Sequence, residues 1–177
     1  IDALWCFCLS GPRMALMCDG PSTRKVGTGD LALPVIVATA NGYHAENERT
    51  VALGKIKDKE RKMFEAHIEA REKAIETIRP GIDCSKVNRA AAEVLERLGY
   101  SKHLTGRTGH GIGLGWHEPP SLSTSDKTVL EANMVLTVEP GITIPGFGSV
   151  RYSDTILVTE KGYERLTTYT NDLLILK

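Results

Sequence analysis

Residues 109–120 read GHGIGLGWHEPP, with two histidines set among glycines. They lie within residues 101–128, a stretch rich in glycine, proline and serine that shows no hydrophobic period and holds three of the five histidines. Because glycine lets the backbone approach a ligand closely, His110 and His117 can point into a cleft. A glycine-flanked histidine is equally compatible with a structural role, so this segment alone leaves both interpretations open.

Two segments downstream add charged side chains. Val138-Glu139-Pro140-Gly141 places a carboxylate where a strand is expected to end, and Arg151 and Asp154 lie at the start of the next predicted strand. Arg151 and Asp154 could instead form a local surface ion pair, which would contribute little to stability.

The residues upstream predict strands and a hairpin. Residues 1–9 form an apolar run that ends at a turn, and Leu31–Ala38 is short and rich in valine and isoleucine, as expected for a buried strand. Asn41-Gly42 predicts a hairpin turn, with Glu48–Leu53 as the return strand.

Two helices are predicted next, over residues 56–78 and 84–98. Asp83 or Ser85 can cap the second helix. We expect the charged side chains of both helices to lie on solvated faces. The apolar face of the first consists of Phe64, Ile68 and Ile75.

Further strands are predicted at residues 134–138, 155–159 and 173–176. The predicted order is strands, helices, a loop and again strands. This order is typical of an α+β fold with a mainly antiparallel sheet.

Composition excludes several classes of protein. With 177 residues, 41% hydrophobic and 25% charged, the chain has the size and composition of one globular domain. Its formal net charge of zero gives no support for binding nucleic acid or an anionic membrane. We find no bilayer-spanning run and no signal peptide, which predicts a cytoplasmic protein.

The four cysteines do not have the spacing of a zinc ribbon. We expect them to be reduced and mostly buried. They are Cys6, Cys8, Cys18 and Cys84.

The motifs form an ordered set: GDL near residue 30, GYxxExERT at residues 42–50, HGIGLxxHE, VEPG and RxxDTxxVTExG. In this order they resemble the creatinase, Xaa-Pro aminopeptidase and prolidase superfamily, from about residue 9 to the end of the chain. The resemblance implies the pita-bread fold, in which helices cover a curved, mainly antiparallel sheet. It identifies residues 1–177 as a single, partial catalytic-type domain without the N-terminal domain of the family.

The resemblance also assigns a ligand set. Metallopeptidases of this superfamily hold two divalent ions with two Asp, one His and two Glu. His110 and Glu139 are retained, and Glu46 replaces one Asp. Val35, which also fits a buried core strand, replaces the other Asp, and Ser153 replaces the last Glu. We therefore expect no di-metal centre, and either no ion or one weakly bound divalent ion on Glu46, His110 and Glu139.

Creatinase, the metal-free branch, carries Glu directly before Arg-Thr, as Glu48 does here. The resemblance implies His110, Glu139 and Glu48 as catalytic residues. It implies His117 and Arg151 as substrate-binding residues.

A further catalytic histidine of the superfamily falls on Cys18. A thiol can act as a nucleophile when its pKa is lowered, but a buried, inert cysteine is the more common case. His44 lies near the motif and could substitute for the missing histidine, or it could lie in an exposed turn.

These observations predict a hydrolase of amide or other C–N bonds in short peptides or small molecules that is not a standard di-metal enzyme. One alternative is a genuine Xaa-Pro dipeptidase that uses one metal ion. A second is a catalytically inactive binding or scaffolding module with the same fold. The resemblance further implies a homodimer.

Overall fold

The computed structural model describes residues 2–104 and 106–177, with side chains from residue 5 onward. Ile1 and Thr105, which fall in a predicted strand and a predicted loop, lie outside the described residues. The α-helices of the described residues are α1 (Asp58–Thr77) and α2 (Cys84–Arg97), and Gly11–Leu16 and Ser101–His103 form short 3-10 helices. The strands are β1 (Asp2–Ser10), β2 (Leu31–Ala40), β3 (Tyr43–Arg49), β4 (Val51–Leu53), β5 (His110–Gly111), β6 (Glu118–Ser121), β7 (Val135–Val138), β8 (Ile142–Ile144), β9 (Gly148–Val150), β10 (Tyr152–Val158), β11 (Tyr163–Arg165) and β12 (Leu174–Leu176).

Ten of these strands form one sheet, whose main path runs β12, β4, β2, β3, β10, β7, β5, β6. Outside this path, β1 pairs with β2 and β11 pairs with β10. Among the described residues every strand pairing is antiparallel except that of β12 with β4. The predicted α+β fold with a mainly antiparallel sheet is confirmed.

Several element boundaries differ from the prediction. The return strand of the first hairpin begins at Tyr43 and not at Glu48, because Asn41 and Gly42, with φ of 53° and 84°, turn the chain within two residues and pairing starts at once. The predicted loop over residues 101–128 contains β5 and β6, which are too short to show a hydrophobic period.

The core lies between the helices and the sheet, and Phe64 and Ile75 of α1 are buried in it as predicted. Asp83 caps α2 by accepting a hydrogen bond from the backbone N–H of Lys86. The expectation that helical charges are solvated is wrong for His67 and Arg71. Both are fully buried on α1, because they contact polar groups of β10.

The expectation that the cysteines are mostly buried is also wrong. All four are free thiols, but only Cys84 is buried, whereas Cys6, Cys8 and Cys18 are exposed. Cys6 and Cys8 alternate with Phe7 along β1, so they point away from the side of the sheet on which Phe7 packs.

No helix within the described residues is long and apolar enough to cross a membrane.

Cross-strand pairing places the polar residues of β3 and β10. Paired residues on neighbouring strands share a face of the sheet, and neighbours along one strand alternate between faces. One row across the sheet consists of Phe7, Val35, Glu48 and Ser153, and the next of Trp5, Val37 and Glu46. Arg49 and Asp154 therefore face the opposite side from Glu48 and Ser153. Val35 is buried, as predicted for a core strand.

Candidate active site

A cavity of about 650 Å³ opens on the face of the sheet that carries these two rows. Its walls come from β1, β3, the end of β7, the segment before β10 and the glycine-rich segment. Of the residues predicted from the sequence, those that line it are Cys18, Glu46, Glu48, His117, Glu139 and Arg151.

His110 contacts this cavity through Glu139. Its Nε2 atom lies 3.3 Å from Glu139 Oε1 and 3.9 Å from Glu46 Oε2, although it makes no well-aligned hydrogen bond with a described residue. Its Nδ1 atom lies 2.9 Å from the carbonyl oxygen of Gly111. Because both ring nitrogens face oxygen acceptors, the geometry favours the doubly protonated imidazolium.

The pKa values of this pair shift in opposite directions. Burial lowers the pKa of His110, but the contact with Glu139 and its charge outweigh burial, so the pKa of His110 is raised. Burial raises the pKa of Glu139, but His110 and Arg151 outweigh it, so the pKa of Glu139 is lowered. The pair therefore favours an imidazolium beside a carboxylate.

Both carboxylate oxygens of Glu46 accept a hydrogen bond. Ser153 Oγ donates to Oε1 at 2.6 Å, and Trp116 Nε1 donates to Oε2 at 2.5 Å. Burial and the charge of Glu139 nevertheless raise the pKa of Glu46. Ser153 thus contacts the site as a hydrogen-bond donor.

Glu48 and Arg151 form a two-point contact. Arg151 Nη2 lies 2.6 Å from Glu48 Oε1, and Arg151 Nε lies 2.5 Å from Oε2. Burial raises the pKa of Glu48 in spite of Arg151. The alternative of a local pair between Arg151 and Asp154 is wrong, because Asp154 lies on the other side of the sheet and pairs with Arg49.

The glycine-rich segment is held against β7 and the first hairpin. A Cβ atom on Gly109 would lie 1.9 Å from the carbonyl oxygen of Thr137, so only glycine fits there. The backbone N–H of His44 donates to the carbonyl of Gly113 at 2.8 Å, and its ring Nδ1 lies 3.1 Å from the same oxygen. His44 is partly buried, so the expectation of an exposed turn histidine is wrong.

Aromatic side chains form one wall of the cavity. The ring of His117 lies 4.2 Å from that of His110 and 4.4 Å from that of Trp116. Trp5 packs edge-on to Trp116 at 4.8 Å and lies 5.5 Å from Phe7. Burial, with the charge of His110, lowers the pKa of His117.

The sequence analysis missed this wall and one charged residue beside it. Trp5 and Phe7 alternate with cysteines along β1, a pattern that could have placed both on one face. The missed residues that line the cavity are Trp5, Phe7, Met17, Arg107 and Trp116.

Cys18 lies at the edge of the cavity and is exposed, so the alternative of a buried thiol is wrong. Its nucleophilic role stays a prediction.

The opposite side of β3 and β10 holds a second buried charge cluster, centred on Asp154. Arg49 Nη2 lies 2.5 Å from Asp154 Oδ1, and Arg71 Nη1 and Arg165 Nη1 lie 3.4 and 3.3 Å from Oδ2. Asp154 and Arg71 are fully buried. Glu72 completes the cluster at 2.7 Å from Arg165.

His67 lies beside this cluster. Its Nδ1 atom lies 2.5 Å from the carbonyl oxygen of Pro140, and its Nε2 accepts from the backbone N–H of Tyr152 at 3.0 Å. Burial and the charge of Arg71 lower its pKa to about 3. His67 is therefore a neutral, structural histidine.

Side chains of the cavity could hold a metal ion. Two groups have ligand atoms within 4.8 Å of one another. They are Glu46, His110 and His117, and Glu46, Glu48 and Glu139.

The model of metallopeptidase family M24 matches residues 2–160. The chain belongs to family M24. Among the curated relatives, the Xaa-Pro dipeptidase of Pyrococcus furiosus is 39% identical over 93% of this chain and 47% of its own length. The predicted superfamily is thereby confirmed.

Solved structures of dipeptidases show the same fold. Dipeptidase PepE from Mycobacterium ulcerans matches with a TM-score of 0.95 and 32% identity, over 98% of this chain and 47% of its own. A dipeptidase from Pyrococcus horikoshii matches with a TM-score of 0.94 and 36% identity, over 97% and 48%. The chain therefore spans about half the length of these proteins.

Proposed function

We propose that this member of family M24 contributes the catalytic site of a hydrolase that cleaves C–N bonds in short peptides or small molecules, without a di-metal centre. The observation that carries the proposal is the His110 imidazole, whose two nitrogens face acceptors, next to Glu139 in a cavity that also holds Glu46 and Glu48. A buried acid beside carboxylates with shifted pKa values is the arrangement that proton transfer requires.

Glu48 and His110 carry out the two proton transfers. Glu48, whose pKa burial raises, takes a proton from a water molecule, and the water oxygen attacks the carbonyl carbon. His110 gives its Nε2 proton to the leaving nitrogen as the C–N bond breaks, and Glu139 stabilises the imidazolium before this step. The products are a carboxylic acid and an amine. His117 and Arg151 border the reacting groups and hold the substrate in place.

The side chains do not fit two metal ions. Two divalent ions about 3.5–4 Å apart share several anionic ligands. Val35 is a buried isopropyl group beside Glu48, and Ser153 is a hydroxyl that already donates to Glu46.

One metal ion fits better. Glu46, His110 and His117 bring three ligand atoms together, and Glu139 lies beside His110. An ion there would polarise the carbonyl of the substrate. This arrangement, together with the Xaa-Pro dipeptidases among the relatives, supports the alternative of a single-metal Xaa-Pro dipeptidase.

The single partial domain, the homodimer and the cytoplasmic location stay predictions.

Chelation distinguishes these proposals. The full-length protein is dialysed against a chelator, its metal content is measured, and hydrolysis of proline-containing dipeptides and of small C–N substrates is assayed with and without manganese, cobalt or zinc. We expect activity to survive chelation. Activity that returns only with metal would support the single-metal alternative, and two tightly bound ions would contradict the argument from Val35 and Ser153.

Variants test the site itself. His110→Asn should abolish hydrolysis, whereas Glu131→Gln, at an exposed position outside the cavity, should leave it unchanged. If the unmodified protein hydrolyses no substrate with or without added metal, the alternative of a catalytically inactive binding module gains support.

A further inference from the structure

Trp116 lines the cavity and donates a hydrogen bond to Glu46, one of the side chains that could hold a metal ion. We propose that the indole N–H of Trp116 takes the place of a cation on Glu46, so that Trp116 prevents tight binding of divalent ions in the cavity. This inference rests on the proposed function, because it concerns the same cavity and gives a reason for hydrolysis without a di-metal centre. Trp116 acts through Glu46 and is therefore a positioning residue.

The two carboxylate oxygens of Glu46 have different surroundings. Oε1 accepts a hydrogen bond at 2.6 Å from Ser153, which is fully buried on the neighbouring strand β10. Oε2 lies 3.9 Å from His110 Nε2. Oε2 also accepts the hydrogen bond from Trp116 Nε1, at 2.5 Å. The indole therefore donates to the oxygen that lies beside the imidazole, where an ion shared by Glu46 and His110 would bind.

The indole proton and a metal ion would compete for this oxygen. A carboxylate oxygen has two lone pairs, but the indole proton carries a partial positive charge. A zinc ion on the same oxygen would lie about 2.0–2.2 Å from it and would repel that proton, all the more because the site is buried. The hydroxyl of Ser153 donates to the other oxygen and could remain in place as an outer partner of a metal ligand. Trp116 is thus the donor to Glu46 that opposes an ion.

Aromatic contacts hold the indole in this position. Its ring lies 4.4 Å from that of His117, with 32° between the planes, and 4.8 Å from that of Trp5, which it meets edge-on at 86°. Each such aromatic pair is worth about 0.5–1.5 kcal/mol beyond the area that it buries. An ion that displaced the indole would therefore break these contacts as well as the hydrogen bond to Glu46.

Calorimetric titration with metal ions tests the inference without any substrate. Manganese, cobalt and zinc are each titrated into the chelator-treated full-length protein and into Trp116→Phe, which removes the N–H group and keeps an aromatic ring. Trp116→Leu removes the same donor by a second route. Tyr43→Phe, which removes the hydroxyl of an exposed aromatic side chain outside the cavity, is the matched control.

We expect Trp116→Phe and Trp116→Leu to bind these ions at least about tenfold more tightly than the unmodified protein, and Tyr43→Phe to bind them within about twofold. Adding Glu46→Gln to Trp116→Phe should remove the gain, because the amide oxygen carries no net charge. Equal affinities of the unmodified protein and both Trp116 variants would overturn the inference. A gain that survives Glu46→Gln would overturn it as well.

This result is separate from the test of hydrolysis. A gain in metal affinity in a protein that hydrolyses nothing would uphold the role of Trp116 and contradict the proposed hydrolase. Unchanged metal affinity in Trp116 variants of a protein that hydrolyses C–N bonds after chelation would overturn the role of Trp116 and leave the hydrolase standing.

Discussion

The two faces of β3 and β10 carry two buried charge clusters. Both contain arginine, but within the described residues only the cluster on the cavity face pairs a carboxylate with a histidine. On the cavity face, Glu139 is paired with His110, which can lose its proton. On the opposite face, Asp154 is surrounded by Arg49, Arg71 and Arg165, which keep their charge at any physiological pH. Strand alternation, by which Ser153 and Asp154 point to opposite sides, keeps the clusters apart.

The histidines show the same contrast. Glu139 raises the pKa of His110, whereas burial and Arg71 lower the pKa of His67 to about 3. The cluster that contains His110 can perform acid–base chemistry, because this histidine can gain or lose a proton. The arginines around Asp154 stay charged, so that cluster can only stabilise the packing of the strands and α1. We therefore expect substitutions on the cavity face to affect activity and those on the opposite face to affect stability.

The largest expected effect comes from Asp154→Asn. It leaves the buried Arg49 and Arg71 and the partly buried Arg165 without their shared carboxylate, so the free energy of unfolding should fall by about 3–5 kcal/mol. Chemical denaturation measures this change. Asp19→Asn, which breaks an exposed pair with Arg13, should cost no more than about 1 kcal/mol. Equal effects of the two substitutions would contradict a structural role for the Asp154 cluster.

On the cavity face, Glu139→Gln should lower kcat/KM about a hundredfold or more, because His110 loses the carboxylate that favours its protonated form. The free energy of unfolding should change by less than about 1 kcal/mol, since His110 can become neutral. Steady-state assays and denaturation of the same preparation test both statements. A large loss of stability would show that the two faces do not differ in the proposed way.

His67 gives the comparison a pH dependence. Its folded pKa of about 3 lies below the ordinary 6.5, so the unfolded chain binds more protons and stability falls as the pH drops from 6.5 towards 3. His67→Gln should reduce that slope by about 1.4 kcal/mol per pH unit. Denaturation at a series of pH values measures the slope, and an unchanged slope would be inconsistent with a buried neutral His67.

The smallest effect is expected for Ser153→Ala. Ser153 donates to Glu46 and lowers its pKa, so its removal should raise the pKa of Glu46 further. Carbon-13 NMR titration of the Glu46 carboxylate measures this shift. Ser125→Ala, at an exposed position, serves as the control. A downward shift would indicate that Ser153 does not act as the donor.

The elements governed by local sequence were predictable. Asn41-Gly42 adopts the expected hairpin turn, and α1 and α2 lie within two residues of their predicted bounds. The motifs also contain most of the charged side chains that line the cavity.

What could not be predicted depends on partners far away in the sequence. Arg71 has the pattern of a solvated helical residue, yet Asp154 of β10 makes its burial favourable. The hydrogen bond from Trp116 to Glu46 likewise joins a loop to a strand.

The hairpin turn of two residues at Asn41-Gly42 has a consequence for how this protein can evolve. Side chains alternate along β3, so inserting or deleting one residue in the turn would shift the register and exchange Glu46 and Glu48 with Asn47 and Arg49 between the two faces. Glu46 and Glu48 would then lie on the face that holds Asp154, and the guanidinium of Arg49 would point into the cavity. Lineages should therefore vary the identity of residues in this hairpin while conserving its length.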